Sequence, residues 1–245
     1  MRAHIHDFVF GIYPYICASV FLIGSLIRFD REQYTWRSGS SQLLRARQLR
    51  WGSNLFHVGI LFLFFGHTVG MLTPHFVYES FMTAGAKQLL AIVSGGLFGL
   101  LGFLGVTLLL HRRLTEPRIR INSKTSDIVL LLLLWLQFAL GLATIPLSAQ
   151  HLDGSMMMVL AEWAQRIVTL RGGAAELMLQ AGWVFKAHMF LGMSIFLIFP
   201  FTRLVHVWSG FAAVGYLARP YQVVRSRRLN VPAGHNLPRQ PGARV

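Results

Sequence analysis

A chain of 245 residues has the length of one or two soluble domains, but 54% hydrophobic and only 13% charged residues exclude that class. A formal charge of +14 invites a nucleic-acid reading, which fails once the charges are located. The 23 Lys and Arg cluster between long uncharged runs and in the C-terminal tail, as in a membrane protein with one basic side. A single cysteine, Cys17, excludes an intrachain disulfide, and the lack of Cys-x-x-Cys-His excludes covalent c-type haem attachment.

Five apolar runs each approach the roughly 20 residues needed to cross a bilayer core. In lipid the backbone must satisfy its own hydrogen bonds, so the runs predict an all-α, polytopic, five-helix bundle. The first spans about Phe8 to Ile27, behind a short, nearly neutral flank with Arg2 and Asp7 that does not read as a cleaved signal peptide. The second covers about Gly52 to Leu72, the third Lys87 to Leu110 and the fourth Ile128 to Leu147. Between the fourth and fifth spans, Met156 to Thr169 has the pattern of an amphipathic helix lying on the membrane surface. The fifth span runs from about Ala181 to Leu204, with a kink expected at Pro200. Residues beyond His206 read as partly helical to Arg228, so residues 1–228 form the membrane domain. Residues 229–245, rich in Pro, Gly, Asn and Arg, read as a disordered tail.

Basic residues set the orientation. Eighteen lie after the first, third and fifth spans, among them Arg28, Arg45, Arg112, Arg113 and Arg203, against five on the other side: Arg2, Lys87, Arg166, Arg171 and Lys186. The N-terminus is therefore expected outside and the C-terminus in the cytoplasm.

Four of the ten histidines sit at membrane depth: His57 and His67 on the second span, His188 and His206 on the fifth. An ionisable side chain in lipid is costly and has a task or a partner. Interhelical hydrogen bonding explains a lone histidine, but four at matched depths point further. The two spans run in opposite directions, so His57 can face His206 on the inner side and His67 can face His188 on the outer side. Each pair can supply both axial imidazoles to one haem, leaving no open position for oxygen chemistry, which implies electron transfer. The spacings match imperfectly. Ten residues on the second span rise roughly 15 Å and eighteen on the fifth roughly 27 Å, although eighteen make five whole turns and place His188 and His206 on one face.

Small residues accompany the histidines. Gly66 and Gly70 flank His67, Gly192 lies one turn beyond His188, and Gly95, Gly99, Gly102 and Gly105 form a stripe on the third span. Room for a porphyrin and close helix packing both account for them. Arg203 and Lys186 suit haem propionates or simple snorkelling to the headgroups.

Four stretches carry a specific resemblance: FDREQYTWRSGSSQLL at Phe29–Leu44, SNLFHVGILFLFFGHTVGMLTPH at Ser53–His75, TIPLSAQHLDGSMMM at Thr144–Met158, and FPFTRLVHVWS at Phe199–Ser209. From about Phe8 to Arg228 the chain resembles the γ subunit of respiratory nitrate reductase, the membrane cytochrome b of that enzyme. The resemblance implies a cell inner-membrane protein with two non-covalent haems b, ligated by His57 and His206 (proximal) and by His67 and His188 (distal). It implies a quinol, menaquinol or ubiquinol, oxidised beside the distal haem near Gly66, His67 and Lys87. It further implies an iron–sulfur β subunit and a molybdenum-containing α subunit as partners, the latter reducing nitrate. Lys87, opening the third span on the outer side, is placed to hydrogen-bond a quinone oxygen, and Gly66, lacking a side chain, leaves room against the haem.

Three other functions compete with this one. A related quinol-oxidising cytochrome b of a heterodisulfide-reductase-like complex shares the architecture, but the Tyr34–Ser41 and Thr144–Gly154 motifs favour the nitrate reductase resemblance. A haem-free transporter would show an inverted repeat and broken helices in both halves, which the sequence lacks. A passive membrane anchor would need only the basic face.

Overall fold

The computed structural model describes residues 2–32 and 44–208. Residues 1–207 form one compact unit, and Trp208 opens a second, residues 208–245. The helical extension expected to Arg228, the domain boundary after it and the tail all lie outside the described residues. Among the described residues there is no strand, and five helices are long and apolar enough to cross a membrane.

A short helix α1 (Arg2–Asp7) runs through a π-helical turn, Phe8–Ile12, into α2 (Tyr13–Glu32). Then follow α3 (Ala46–Leu72), the short α4 (His75–Tyr78), α5 (Ala84–Thr115), α6 (Pro117–Ile121) and α7 (Thr125–Ser148). Beyond them come α8 (Ser155–Val168), the short α9 (Ala174–Leu177) and α10 (Trp183–Ile198). Long side chains such as Leu22, Ile23, Leu61, Phe65 and Leu97 stay exposed on the spans, as a lipid-facing surface requires.

The spanning helices pack in a chain of neighbours: α3 on α5, α5 on α7, α7 on α10 and α10 on α2. The α3 and α10 backbones meet little or not at all, so a gap separates α3, which carries His57 and His67, from α10, which carries His188 and leads on to His206. The α3–α5 contact is the most intimate. A Cβ at Gly59 would lie 2.5 Å from the Gly102 backbone, and one at Gly105 would collide with the backbone nitrogen of Phe56. On its other side α5 meets α7, where Gly99 and Gly102 receive Leu142 and Phe138. The glycine stripe of the third span is therefore a helix-packing surface at Gly99, Gly102 and Gly105, while Gly95 faces open space.

Pro200 does more than kink the last span. Lacking an N–H and restricting the residue before it, proline ends the α-helix at Ile198. Phe199–Phe201 follow as a 3-10 turn, Thr202 is extended, and Arg203–Val205 form a second 3-10 turn before residues 206–208 turn helical again. The five-turn spacing expected between His188 and His206 is thus interrupted. Carbonyls freed by the break need donors, because an unsatisfied one in a membrane costs several kcal/mol. Arg28, at the end of α2, supplies them: its Nη1 donates to Pro200 O (2.5 Å) and Thr202 O (3.1 Å). Gly24, one turn earlier, lets α2 approach, since a Cβ there would lie 2.9 Å from the proline ring.

At the opposite end α8 forms where an amphipathic segment was expected, but its apolar face turns onto the protein. Ala161, Trp163 and Ala164 are buried with Phe10, Ala174, Met178 and Phe185. Trp163 Nε1 donates to Phe10 O (3.0 Å), in the π-helical turn, and Gln165 Nε2 donates to Met71 O (3.0 Å) at the end of α3.

Candidate functional site

Across the gap the histidines meet in the pairs expected from helix direction. The ring centres of His57 and His206 are 6.3 Å apart, and those of His67 and His188 are also 6.3 Å apart. Two imidazoles on opposite sides of one metal, each with its nitrogen roughly 2 Å from the ion, have ring centres about 6 Å apart. Both pairs therefore fit a shared metal centre. No group of three or more metal-ligating side chains occurs among the described residues.

Local backbone fixes the tautomer of three of the four rings. His57 Nδ1–H donates to Ser53 O (2.7 Å), His67 Nδ1–H to Leu63 O (2.7 Å) and His206 Nδ1–H to Arg203 O (2.6 Å). With the proton on Nδ1, the lone pair sits on Nε2, the nitrogen at the tip of the ring. In the α3 pair the acceptor is the carbonyl four residues back, so the helix itself orients each ring. Ligating histidines need this orientation. His188 differs: its Nε2 lies 3.5 Å from Gln137 Nε2, and its buried Nδ1 has no hydrogen-bond partner among the described residues.

The glycines beside the rings divide into two groups. Gly66 and Gly70 have nothing within 4 Å of where a Cβ would stand, leaving the flank of His67 open. Gly192 instead faces α7, where a Cβ would come 3.1 Å from the Gln137 amide nitrogen.

Lys87 stands in the first turn of α5, whose start Thr83 caps by accepting from Ala86 N (3.2 Å). Its Nζ sits 3.7 Å from the centre of the Tyr78 ring, a cation–π contact, and has no hydrogen-bond partner among the described residues. Burial pushes the Tyr78 phenol up, so the ring under the ammonium stays neutral. Next to it, Gln88 Nε2 donates to Ser148 O (2.7 Å) and His151 O (2.5 Å), tying the loop after α7 to this turn.

At the arginine-rich end, Arg203 grips Asp127 with two bonds, Nε to Oδ1 (2.8 Å) and Nη2 to Oδ2 (2.6 Å), while Arg113 lies 3.6 Å from the same carboxylate. Arg203, a candidate for a propionate, thus shares one carboxylate with Arg113, and the two guanidiniums outnumber it by one charge. Lys186, two residues before His188, is half-buried.

Sequence reasoning missed Asp127, Gln137 and Tyr78. Gln137 had a signal, being an amide in the middle of an otherwise almost wholly apolar run, where a polar group needs a partner. Asp127 sits one residue before the expected start of the fourth span, and Tyr78 lies in a connection with no pattern to mark it.

Comparison with known proteins follows the same lines. Residues 6–227 match the family described as nitrate reductase gamma subunit. The respiratory nitrate reductase 2 gamma chain of Escherichia coli is 55% identical over 228 residues, covering 93% of this chain and all of that one. The respiratory nitrate reductase 1 gamma chain of the same organism is 52% identical over 90% of this chain and 97% of its own. The nitrate reductase gamma chain of Bacillus subtilis is 36% identical over 89% and 97%. With the family model spanning nearly the whole chain and full-length relatives above half identity, this chain belongs to the nitrate reductase gamma subunit family.

Proposed function

We propose that this membrane subunit carries two haems b and oxidises a quinol near the outer face, delivering the electrons to an iron–sulfur partner from which a molybdenum-containing subunit reduces nitrate. The observation that carries the reading is the pair of 6.3 Å imidazole separations, His57 to His206 and His67 to His188. When bound, the haems supply single-electron relay between a two-electron donor outside and an acceptor inside.

The chain's own residues do the rest. His57 and His206 hold the proximal group near the arginine-rich end, and His67 and His188 hold the distal group near the α3–α4 end. The Nδ1–H bonds to Ser53 O, Leu63 O and Arg203 O keep three of these rings aimed, so little reorganisation is needed. Open space beside Gly66 and Gly70 admits a flat ligand next to His67. Lys87, an ammonium resting on a ring face with no hydrogen-bond partner among the described residues, has its N–H groups to offer a quinone oxygen. The excess of arginine at one end supports a cytoplasmic position for that end, with the protein in the inner membrane. Quinol protons released at the other end would then leave outside.

The test uses the intact complex. Added quinol should reduce b-type haem bands, and nitrate should reoxidise them within turnover. Bands that stay oxidised with quinol, in a complex that still reduces nitrate from an artificial donor, would contradict the proposed role.

A further inference from the structure

The fourth histidine is held by a different device from the other three. Three of the rings donate Nδ1–H to a backbone carbonyl three or four residues earlier in the chain. His188 makes no such bond, and its environment comes from α7 instead. There the two helices are notched reciprocally. On α7, Gly141 clears the imidazole, for a Cβ would lie 3.0 Å from His188 Cε1. On α10, Gly192 clears the amide of Gln137, which would meet a Cβ at 3.1 Å. Gln137 and Gly141 are one turn apart on α7, and His188 and Gly192 one turn apart on α10, so each helix offers one polar side chain and one slot. Both side chains keep a buried polar atom without a partner among the described residues, Gln137 Oε1 and His188 Nδ1. A half-turn of the amide fills the same space and brings its oxygen to His188 Nε2, 3.5 Å away, so that Nε2–H donates to it and the partnerless Nδ1 is the nitrogen left to ligate.

We infer that Gln137 is a positioning residue for His188, acting as the hydrogen-bond acceptor for the ring nitrogen that does not ligate. This rests on the haem reading of the outer histidine pair. Either nitrogen of an imidazole can bind a metal, and the bond made by the other decides which does and how basic it is. A side-chain amide can be replaced, whereas a main-chain carbonyl cannot. The outer centre is therefore the one whose ligand strength is encoded by a side chain.

The experiment is a redox titration of both haems in the intact complex, followed by absorption and by electron paramagnetic resonance of the oxidised form. Gln137→Leu removes the acceptor and makes the imidazole a weaker donor, so the outer haem's potential should rise and its low-spin signal shift, with the inner haem unmoved. Gln137→Glu retains an acceptor and should leave the outer potential at or below that of the unaltered complex. Loss of the outer haem in the Leu variant alone supports the same role. The inference is overturned if the Leu variant leaves the outer haem unshifted, if both variants shift it in the same direction, or if both lose the haem. Absence of haem from the unaltered complex would overturn the underlying reading instead, so the two failures are distinct.

Discussion

Lys87 carries its charge where a helix least favours one. The first turn of α5 is the positive end of the helix dipole, and the ammonium there has an aromatic face for company and, among the described residues, no oxygen. A quinone oxygen would supply what is missing, and a hydrogen bond to a charged group contributes about 1.5–3 kcal/mol. Lys87→Ala should therefore weaken quinol oxidation by roughly tenfold or more while haem content stays intact; unchanged quinol kinetics would remove its assigned role. Asp127 shows the opposite situation, a carboxylate 9% exposed between Arg203 and Arg113. Breaking a buried pair costs about 3–5 kcal/mol, toward the lower value here because the Arg203 side chain is 24% exposed. Asp127→Ala should lower the thermal unfolding temperature and loosen the inner pair first, since His206 Nδ1 is held by the Arg203 carbonyl. An unchanged melting temperature would show that the arginines find other partners. The four histidines and Lys87 were legible in the sequence because polar groups in apolar runs announce themselves. Their tautomers, and the pairing of Arg203 with Asp127, were not, because both depend on which atoms come within 3 Å.

Helix α3 is fastened chiefly to α5, with backbone approaching backbone at Gly59, Gly102 and Gly105, while α8 holds its far end. It carries two of the four imidazoles, so the position of both outer and inner pairs depends chiefly on the α5 contact. Adding a methyl at Gly105 leaves nothing flexible to give way, since the obstacle is the main chain of Phe56. Gly105→Ala should displace α3 and reduce retention of both haems, whereas Gly95→Ala, facing open space, should leave haem content and stability unchanged. Equal behaviour of the two variants would contradict the packing assignment. The glycine stripe was visible in the sequence, but its role was ambiguous there, because small residues serve a cofactor and a helix neighbour alike. Likewise Pro200 marked a disturbance without disclosing its extent. The break persists because Arg28, on a helix remote in sequence, satisfies the carbonyls it frees.

Taken whole, the molecule is a run of helices from α3 through α5 and α7 to α10, with α2 outside and a gap where α3 and α10 face. Hydrophobic length and charge asymmetry made the five spans legible, since the bilayer allows few alternatives. The order of packing was not, because apolar helix faces in lipid carry no pattern that names a neighbour. The proposed function rests on two haem sites, one at the His57–His206 pair and one at the His67–His188 pair. Counting haem per chain by pyridine haemochrome, in the intact complex and in His67→Ala and His206→Ala variants, tests this most directly. The account predicts two haems b for the unaltered chain and one for each variant, the outer lost with His67 and the inner with His206. A single haem or none in the unaltered chain, or both retained in either variant, would contradict it.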